Sequence, residues 1–201
     1  EIGSCDWSSD VCSSDLGNEI FFGSDHGRIW RYQKQGGQFE LLQLPASSRI
    51  VEIKKINEQA ILIVTKTDGF FVYDVASKGM EHYEASRLPK APVRSAYMDK
   101  YSEIWFEQEV PGTVAHFNAK TKVLKTEVIP VEPTSTDRSR PAFHVHEDIY
   151  GTVWVHPYGG GFSRFDRENN RLQSFYNGLS DANWRFSNKI HSAFSDRQGN
   201  L

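Results

Sequence analysis

Two histidines one residue apart are the first side chains in this sequence that suggest chemistry. His144 and His146 alternate with a valine, and side chains of a strand point alternately to its two faces, so both imidazoles are expected on one face. With the Glu147 carboxylate beside them, the pair has the donor types of a transition-metal site. The alternative, which we favour, is a pair of packed or channel-lining histidines with satisfied hydrogen bonds. We therefore predict no metal site and no cofactor.

Carboxylates are the next candidates, because paired carboxyl groups hydrolyse glycosidic bonds. A glycoside hydrolase needs two of them about 5 to 10 Å apart across the bound sugar, and a sequence alone does not establish that separation for any two of these carboxylates. No GxSxG, HExxH or P-loop motif is present. We predict a non-catalytic chain; the alternatives are a secreted enzyme acting on glycans (a hydrolase or lyase) and a protein-interaction scaffold. The scattered carboxylates are Glu107, Glu109, Glu127, Glu132, Glu147, Asp166 and Glu168.

The strands that position these residues are predicted from a repeat of short apolar runs. In each unit, the apolar or aromatic position of the second run falls at Phe21, Leu62, Trp105 and Trp154, with steps of 41, 43 and 49 residues. The aromatic that ends the third run falls at Tyr32, Tyr73, Phe117 and Phe165, with steps of 41, 44 and 48 residues. Four strands in a period of roughly 40 to 50 residues are typical of a β-propeller blade.

The predicted fold is therefore all-β, a β-propeller fragment of about four four-stranded antiparallel blades. We place the blades at 17–44 (partial, without its first strand), 50–85, 93–130 and 142–176, and the start of another at 190–201. Phe21, Trp105 and Trp154 are predicted to pack between blades, because aromatic side chains bury large apolar areas. Two aspartates are predicted to close turns through hydrogen bonds to the backbone. They are Asp148, with Gly151, and Asp196, with Gly199.

The first sixteen residues do not fit the repeat. They show no strand alternation and resemble the translation of a short-read sequencing adapter, so we set 1–16 aside as an artefactual or disordered leader. The alternative is a secreted, Ser-rich, disulfide-bearing leader. Both cysteines, Cys5 and Cys12, lie here, so the remaining residues can form no disulfide. Without 1–16 the formal charge moves from −3 to about +1, which gives no argument for contact with nucleic acid or anionic membrane.

Loops at one end of the blades are the predicted ligand-binding surface. In a propeller, the connections between blades and the turns between second and third strands lie at the same end. Aromatic rings stack on sugar faces, and Arg, His and Asn donate hydrogen bonds to hydroxyl or carboxylate groups. The alternative is a solvated loop surface. The predicted ligand-binding residues are His156, Tyr158, Trp184, Arg185, Arg138 and Arg140, with Asp25, His26, Lys66 and Asp68 at the same end.

The repeat unit also resembles a known one. Residues 17–24 (GNEIFFGS) with 27–32 (GRIWRY), residues 147–155 (EDIYGTVWV) with 160–166 (GGFSRFD), and SDRQGNL at 195–201 resemble the two-component regulator propeller repeat. The resemblance covers nearly all of 17–201. It departs from the repeat at Leu62 and Ser102, where the repeat has tryptophan and glycine.

This resemblance implies a function that the motifs alone do not. It implies the periplasmic sensor region of a Bacteroidetes-type hybrid two-component histidine kinase, anchored in the inner membrane. The implied partners are the remaining blades, the C-terminal signalling domains and a second copy in a homodimer. The implied ligand is a small molecule, an oligosaccharide, and the implied role is signal transduction without catalysis by this part of the protein.

Overall fold

The chain is described by a computed structural model over residues 12–108, 110, 112–131, 143–157, 160–178, 188–190, 192–194, 196 and 198. It divides into two compact units, Glu1–Ala96 and Tyr97–Leu201. Apart from one short 3-10 helix, Ala85–Arg87, the regular structure of the described residues is entirely β-strand. The all-β prediction is confirmed.

The described residues contain sixteen strands in four four-stranded antiparallel sheets, and the strands of each sheet follow their order in the chain. Blade 1 holds β1 (Cys12–Leu16), β2 (Glu19–Gly23), β3 (Ile29–Gln33) and β4 (Gln38–Leu42). Blade 2 holds β5 (Ile50–Asn57), β6 (Ala60–Thr65), β7 (Phe70–Asp74) and β8 (Met80–Tyr83). Blade 3 holds β9 (Val93–Met98), β10 (Glu103–Gln108), β11 (Thr113–Asn118) and β12 (Val123–Val128). Blade 4 holds β13 (His144–Glu147), β14 (Val153–His156), β15 (Phe162–Asp166) and β16 (Arg171–Phe175).

Blade 1 has four strands, not the three that we predicted. β1 pairs antiparallel with β2, with Ser14 opposite Phe21 and Leu16 opposite Glu19. The pairing gives the ladder groups of β2 a partner that an edge strand would lack, and Leu16 joins the buried core of the first unit. Residues 12–16 are therefore ordered β-structure in this chain, while the adapter origin of 1–16 stays a hypothesis.

In the first unit, the two repeat positions meet across neighbouring blades. Phe21 on β2 contacts Tyr73 on β7 edge to face, with ring centroids 6.1 Å apart. Both side chains belong to one buried cluster, which also holds Ile29 from blade 1 and Ile61 and Ile63 from blade 2. The second-strand residue of one blade thus packs on the third-strand aromatic of the next.

The second unit repeats this contact with larger side chains. Trp105 on β10 is fully buried and meets Phe165 on β15 edge to face, with centroids 4.8 Å apart. Val153 and Val155 of blade 4 complete the same cluster. Because the contact joins second-strand and third-strand positions of successive blades, both sequence landmarks must keep the same period.

Aspartates close the turn between the first and second strands. Asp148 Oδ1 accepts hydrogen bonds from the backbone N–H groups of Tyr150 (3.0 Å) and Thr152 (2.8 Å), and Gly151 takes a φ of 82° in this turn, which suits a residue without Cβ. Asp148 Oδ2 accepts the indole N–H of Trp154 at 3.0 Å. The spacing between turn and tryptophan is therefore fixed by this hydrogen bond as well as by apolar packing.

The same turn is built elsewhere in the second unit. Asp99 Oδ1 accepts from Tyr101 and Glu103, and Oδ2 accepts the indole N–H of Trp105 at 3.5 Å. Asp196 Oδ1 accepts from the N–H of Gln198 at 2.8 Å. Gly199, predicted for this turn, lies outside the described residues.

The residues predicted to start a further blade are not in a strand where the structure describes them. Residues 188–190, 192–194, 196 and 198 have turn or irregular conformation. A first strand is held by pairing with a second strand, and the described residues supply none for this segment. Within the described ranges, no helix has the length and apolar character that crossing a bilayer requires.

Candidate ligand-binding site

In the first unit, the connections between blades reach the turn between the second and third strands of blade 2. The backbone N–H of Lys66 donates to the carbonyl of Arg49 at 2.8 Å, and the N–H of Val93 donates to the carbonyl of Lys66 at 2.9 Å. Arg49 also pairs with Asp25, on the corresponding turn of blade 1, at 3.2 Å. Turns and connections therefore share one end of these blades, as a propeller ligand surface requires.

The turn of blade 2, Thr65–Gly69, is rigid. Thr65 Oγ1 donates to the carbonyl of Gly69 at 2.7 Å and accepts from the N–H of Asp68 at 3.0 Å. Gly69 has a φ of 89°, and a Cβ placed on it would lie 2.1 Å from the carbonyl oxygen of Tyr83. Only glycine fits this position, so the turn presents its side chains in a fixed geometry.

Asp68 links this turn to the connection between blades 1 and 2. Its Oδ2 accepts the backbone N–H groups of Ser47 and Ser48, each at 2.8 Å. Burial alone would raise the pKa of Asp68, but these hydrogen bonds and the nearby His82 outweigh burial and hold the pKa below its usual value. The carboxylate is thus ionised at neutral pH and part of the scaffold.

A shallow, open depression of about 660 Å³ lies beside Asp68. His82 donates from Nε2 to the carbonyl of Asp68 at 2.9 Å, which fixes its ring at the cavity wall and leaves Nδ1 as the acceptor nitrogen. The polar lining is rich in hydroxyl and carboxylate oxygens. We call this the Asp68 cavity; its polar lining is Ser47, Thr67, Asp68, His82, Glu84 and Ser86.

A second cavity of about 370 Å³ shares Thr67, Ala85 and Ser86 with the first. It adds two cations, Lys66 and Lys90, to an otherwise mostly apolar wall. We call it the Lys90 cavity. The two together form one concave region with acceptor oxygens in one part and ammonium groups in the other, which is the mixture that fixes the orientation of a polar ligand.

In the second unit, the corresponding end is held by two asparagines. The N–H of Asn177 donates to Asn188 Oδ1, and Asn188 Nδ2 donates to the carbonyl of Asn177, both at 2.9 Å. The carbonyl of Asn188 also accepts from the N–H of Gly161 at 2.9 Å. These contacts tie the two ends of the predicted loop 177–189 to the turn after β14.

His156, the one predicted ligand-binding residue that the structure describes, is buried next to His144. Its fractional exposure is 4%, and its ring centroid lies 5.4 Å from that of His144 on the paired strand. Burial, together with His144 and His146, lowers the pKa of His156 to about 4. His156 is therefore neutral near pH 7 and offers a hydrogen bond there, not the positive charge that would attract an anionic ligand.

We expect His156 to make folding stability depend on pH. The pKa of His156 falls from an ordinary 6.5 to about 4 on folding. Below pH 6.5 the unfolded chain therefore binds a proton at this imidazole that the folded chain does not bind. Stability should be complete above pH 6.5 and fall between pH 6.5 and 4, by on the order of 3 kcal/mol. Urea unfolding at several pH values measures this.

His156→Gln keeps a hydrogen-bonding side chain without a titrating group, so it should flatten that part of the profile. His26→Gln, at an exposed histidine, is the matched control and should leave the slope unchanged. An unchanged slope in His156→Gln would contradict the assignment.

The histidine pair considered for metal binding has other contacts. Glu147 accepts the hydroxyl of Tyr97 at 2.9 Å and the N–H of Lys100 at 3.2 Å, and His146 lies opposite Trp154 in the ladder. The histidine that lies opposite His144 in the ladder is His156, on the neighbouring strand. Among the described residues, no group of three His, Cys, Asp or Glu side chains has the geometry to hold a metal ion.

The other predicted ligand-binding residues, Tyr158, Trp184, Arg185, Arg138 and Arg140, lie outside the described residues. At the loop end of each unit, the structure shows residues that the sequence did not single out. In the first unit these are Ser47, His82 and Glu84, and in the second unit Asn188. Three of the four come from connections between blades, where the repeat pattern carries no signal. His82 lies near the end of the fourth strand of blade 2, and side-chain alternation along that strand was the one sequence signal that could have identified it.

Comparison with known proteins adds the fold class. The sequence matches no protein-family model and none of the curated proteins. Among solved structures it is similar to the extracellular domain of the hybrid two component system BT4673 from B. thetaiotaomicron, with TM-score 0.58 and 18% identity over 100% of this chain and 26% of that one. The corresponding domain of BT3049 from the same organism gives 0.56 and 16%, over 88% and 25%.

Propellers of other function are also similar. Virginiamycin B lyase from Staphylococcus aureus gives TM-score 0.59 and 15% identity over 88% of this chain and 58% of that one. The chain spans about a quarter of the length of the two-component domains, 26% and 25%. The predicted fold class is confirmed: the chain forms four four-stranded antiparallel blades of a β-propeller, a fold similar to that of extracellular domains of hybrid two-component systems.

Proposed function

We propose that this chain is part of an extracytoplasmic sensor propeller that binds a small polar ligand, an oligosaccharide, without catalysis. The observation that carries this is the concave region formed by the Asp68 and Lys90 cavities at the loop end of the first unit. The fold shared with extracellular domains of hybrid two-component systems supports a signalling role. The parent protein would be a membrane-anchored, dimeric sensor histidine kinase with this region in the periplasm.

The polar lining favours a ligand with many hydroxyl groups. Asp68 and Glu84 accept hydrogen bonds from hydroxyls, and Thr67 both donates and accepts. Lys66 and Lys90 in the adjoining cavity would hold a carboxylate, so a uronic-acid oligosaccharide suits the region better than a neutral one.

Signalling needs the ligand to favour one arrangement of the sensor. A bound ligand stabilises the state that it contacts best, and the population shift is then passed on through the membrane anchor. The rigid turn Thr65–Gly69 suits this role, because a ligand held there acts on the connections between blades, which are hydrogen-bonded to it through Ser47 and Ser48.

Calorimetric titration with neutral and uronic-acid oligosaccharides tests the proposal. We expect binding of the uronic-acid series, weakened about tenfold or more by Lys90→Gln and by Glu84→Gln. Glu58→Gln is the control, since Glu58 is on the hairpin between β5 and β6 at the other end of blade 2. Binding that neither Lys90→Gln nor Glu84→Gln weakens, or no binding of any oligosaccharide, would overturn the ligand assignment.

The alternative is a propeller enzyme, since a lyase has the same fold at 15% identity. It predicts new products after incubation with the same oligosaccharides, and a sensor predicts none. Chromatography of the titrated samples, run beside the calorimetry, separates the two functions.

A further inference from the structure

A third depression lies between blades 1 and 2, next to the Asp68 cavity. It has a volume of about 310 Å³, and its lining includes Met80 and Lys78. Pro45 and His82 line both this depression and the Asp68 cavity, so the two are continuous. We call it the Lys78 cavity. Its walls belong to two neighbouring blades of the first unit, and neither wall is an outer face of blade 1 or blade 4.

Two extended segments form the walls of the resulting groove. One segment follows β4, and the other is β8 with the residues after it. Side chains at alternate positions of each segment line the groove: Gln43, Pro45 and Ser47 on one wall, and Met80, His82 and Glu84 on the other. Met80 and Glu84 are four residues apart, which corresponds to about 13 Å of extended chain. The groove is therefore long enough for more than one sugar ring.

His82 presents a flat surface in the middle of this groove. Its imidazole stacks on Phe71 with ring centroids 4.2 Å apart and planes 12° from parallel, and Nε2 is held by the carbonyl of Asp68. Because Phe71 has no exposed area while His82 is exposed, the other face of the imidazole is open to the groove. Pro45 and Met80 add apolar surface beside it, which suits the apolar face of a sugar ring.

Lys78 places a positive charge at the end of the groove. It lies in the turn between β7 and β8, where Asp74 Oδ1 accepts the N–H of Ser77 at 2.7 Å and the N–H of Asp74 donates to the carbonyl of Gly79 at 2.9 Å. Lys78 Nζ donates to Glu40 Oε1 at 3.2 Å, and the lysine side chain is 60% exposed. An ammonium group has three donors, so Lys78 can bind a ligand carboxylate while it keeps its contact with Glu40.

The charges along the three cavities alternate in sign. Lys66 and Lys90 lie at one end, Asp68 and Glu84 in the middle, and Lys78 at the other end. The carboxylates in the middle accept hydrogen bonds from hydroxyl groups and repel acidic groups of a ligand. The ligand that fits this order carries acidic sugars on either side of a neutral one.

We propose that the ligand is an extended oligosaccharide in which uronic acids alternate with neutral sugars, held lengthwise from the Lys90 cavity past His82 to Lys78. This inference rests on the proposed function and adds to it the length and the charge spacing of the ligand. A longer fragment makes the contacts of a shorter one and adds those at His82 and Lys78. Affinity should therefore rise with chain length until the groove is filled.

Calorimetric titration with hyaluronan fragments of two, four and six sugars tests this, because glucuronate alternates with a neutral sugar in these fragments. Affinity for the wild-type chain should rise with length. Lys78→Gln should weaken binding of the six-sugar fragment about tenfold and of the two-sugar fragment much less. Gln43→Glu places a carboxylate in the Lys78 cavity and should act in the same way. Lys90→Gln should weaken binding of every length.

Gln35→Glu is the control for the charge change, at an exposed residue of the turn between β3 and β4 that lines none of the three cavities, and it should bind like wild type. Far-UV circular dichroism checks that every variant folds. Oligogalacturonates, which are acidic at every sugar, should bind more weakly than hyaluronan fragments of equal length.

Three results would contradict the inference, and they separate it from the proposed function. Affinity that does not change with length, or a gain with length that Lys78→Gln leaves intact, overturns the extended groove but not the sensor site at Lys90. Oligogalacturonates that bind as tightly as hyaluronan fragments of equal length overturn the charge spacing. No binding of any oligosaccharide overturns the proposed function as well.

Discussion

Replacing Trp105 by alanine should destabilise the second unit by about 3 to 5 kcal/mol. The indole has no exposed area, stacks on His116 at 4.7 Å between ring centroids and meets Phe165 of the next blade at 4.8 Å. Its removal leaves a cavity at the centre of a blade-to-blade contact that cannot collapse, because both sheets are held by their own ladders. Urea unfolding followed by far-UV circular dichroism measures the loss.

Tyr150→Ala is the matched control within the same unit. Tyr150 is 68% exposed, and its hydrogen bonds are made by the backbone, which alanine keeps: the N–H donates to Asp148 Oδ1 and the carbonyl accepts from Lys100 Nζ. We expect a change within about 0.5 kcal/mol. Equal losses in the two variants would show that the second-strand aromatic does not hold neighbouring blades together.

Replacing Asp99 by alanine should cost about 3 to 5 kcal/mol as well, for an electrostatic reason. Its carboxylate has no exposed area and accepts Arg167 Nη2 at 2.6 Å, while Tyr101 and Glu103 donate their N–H groups to it. Alanine leaves the guanidinium without its counter-ion and two N–H groups without an acceptor. Thermal and urea unfolding both measure the effect.

Asp148→Ala separates the arginine contact from the turn itself. Asp148 makes the same turn and indole hydrogen bonds, and its described contacts include no arginine. We expect a smaller loss, about 1 to 3 kcal/mol. Arg167→Ala should cost less in the Asp99→Ala background than in wild type, since the pair is already broken. Additive losses would contradict a direct Asp99–Arg167 contact.

The contacts of Arg167 are of a kind that the repeat pattern does not predict. The sequence predicted Asp148 and Asp196 as turn aspartates from their spacing to glycine. Asp99 has Ser102 at the glycine position of its turn, and its contact joins blade 3 to Arg167, which follows the third strand of blade 4. The guanidinium lies over the ring of Tyr101 at 4.1 Å and close to Phe165 at 5.3 Å, so two blades build its site. Contacts of this kind depend on sequence separations that no local pattern encodes.

In the candidate site, too, some residues could be predicted from the sequence and others could not. Lys66 and Asp68 were assigned to the loop end because they lie in the turn between a second and a third strand, and the structure places them at the Lys90 and Asp68 cavities. Ser47 and Glu84 could not be found, because connections between blades follow no period. His156 was predicted on the loop surface; the structure places it at the end of β14, where packing makes its ring buried and neutral.

What the sequence determined by itself is the period, and through it the strand order, the blade count and the all-β class, because side-chain alternation and turn chemistry act over a few residues. Tertiary structure alone decided that Cys12–Leu16 completes blade 1, that Trp105 reaches Phe165, and that Asp68 borders a polar cavity. Each of these depends on which surfaces a neighbouring strand or blade covers, and burial of that kind is a property of the packed molecule.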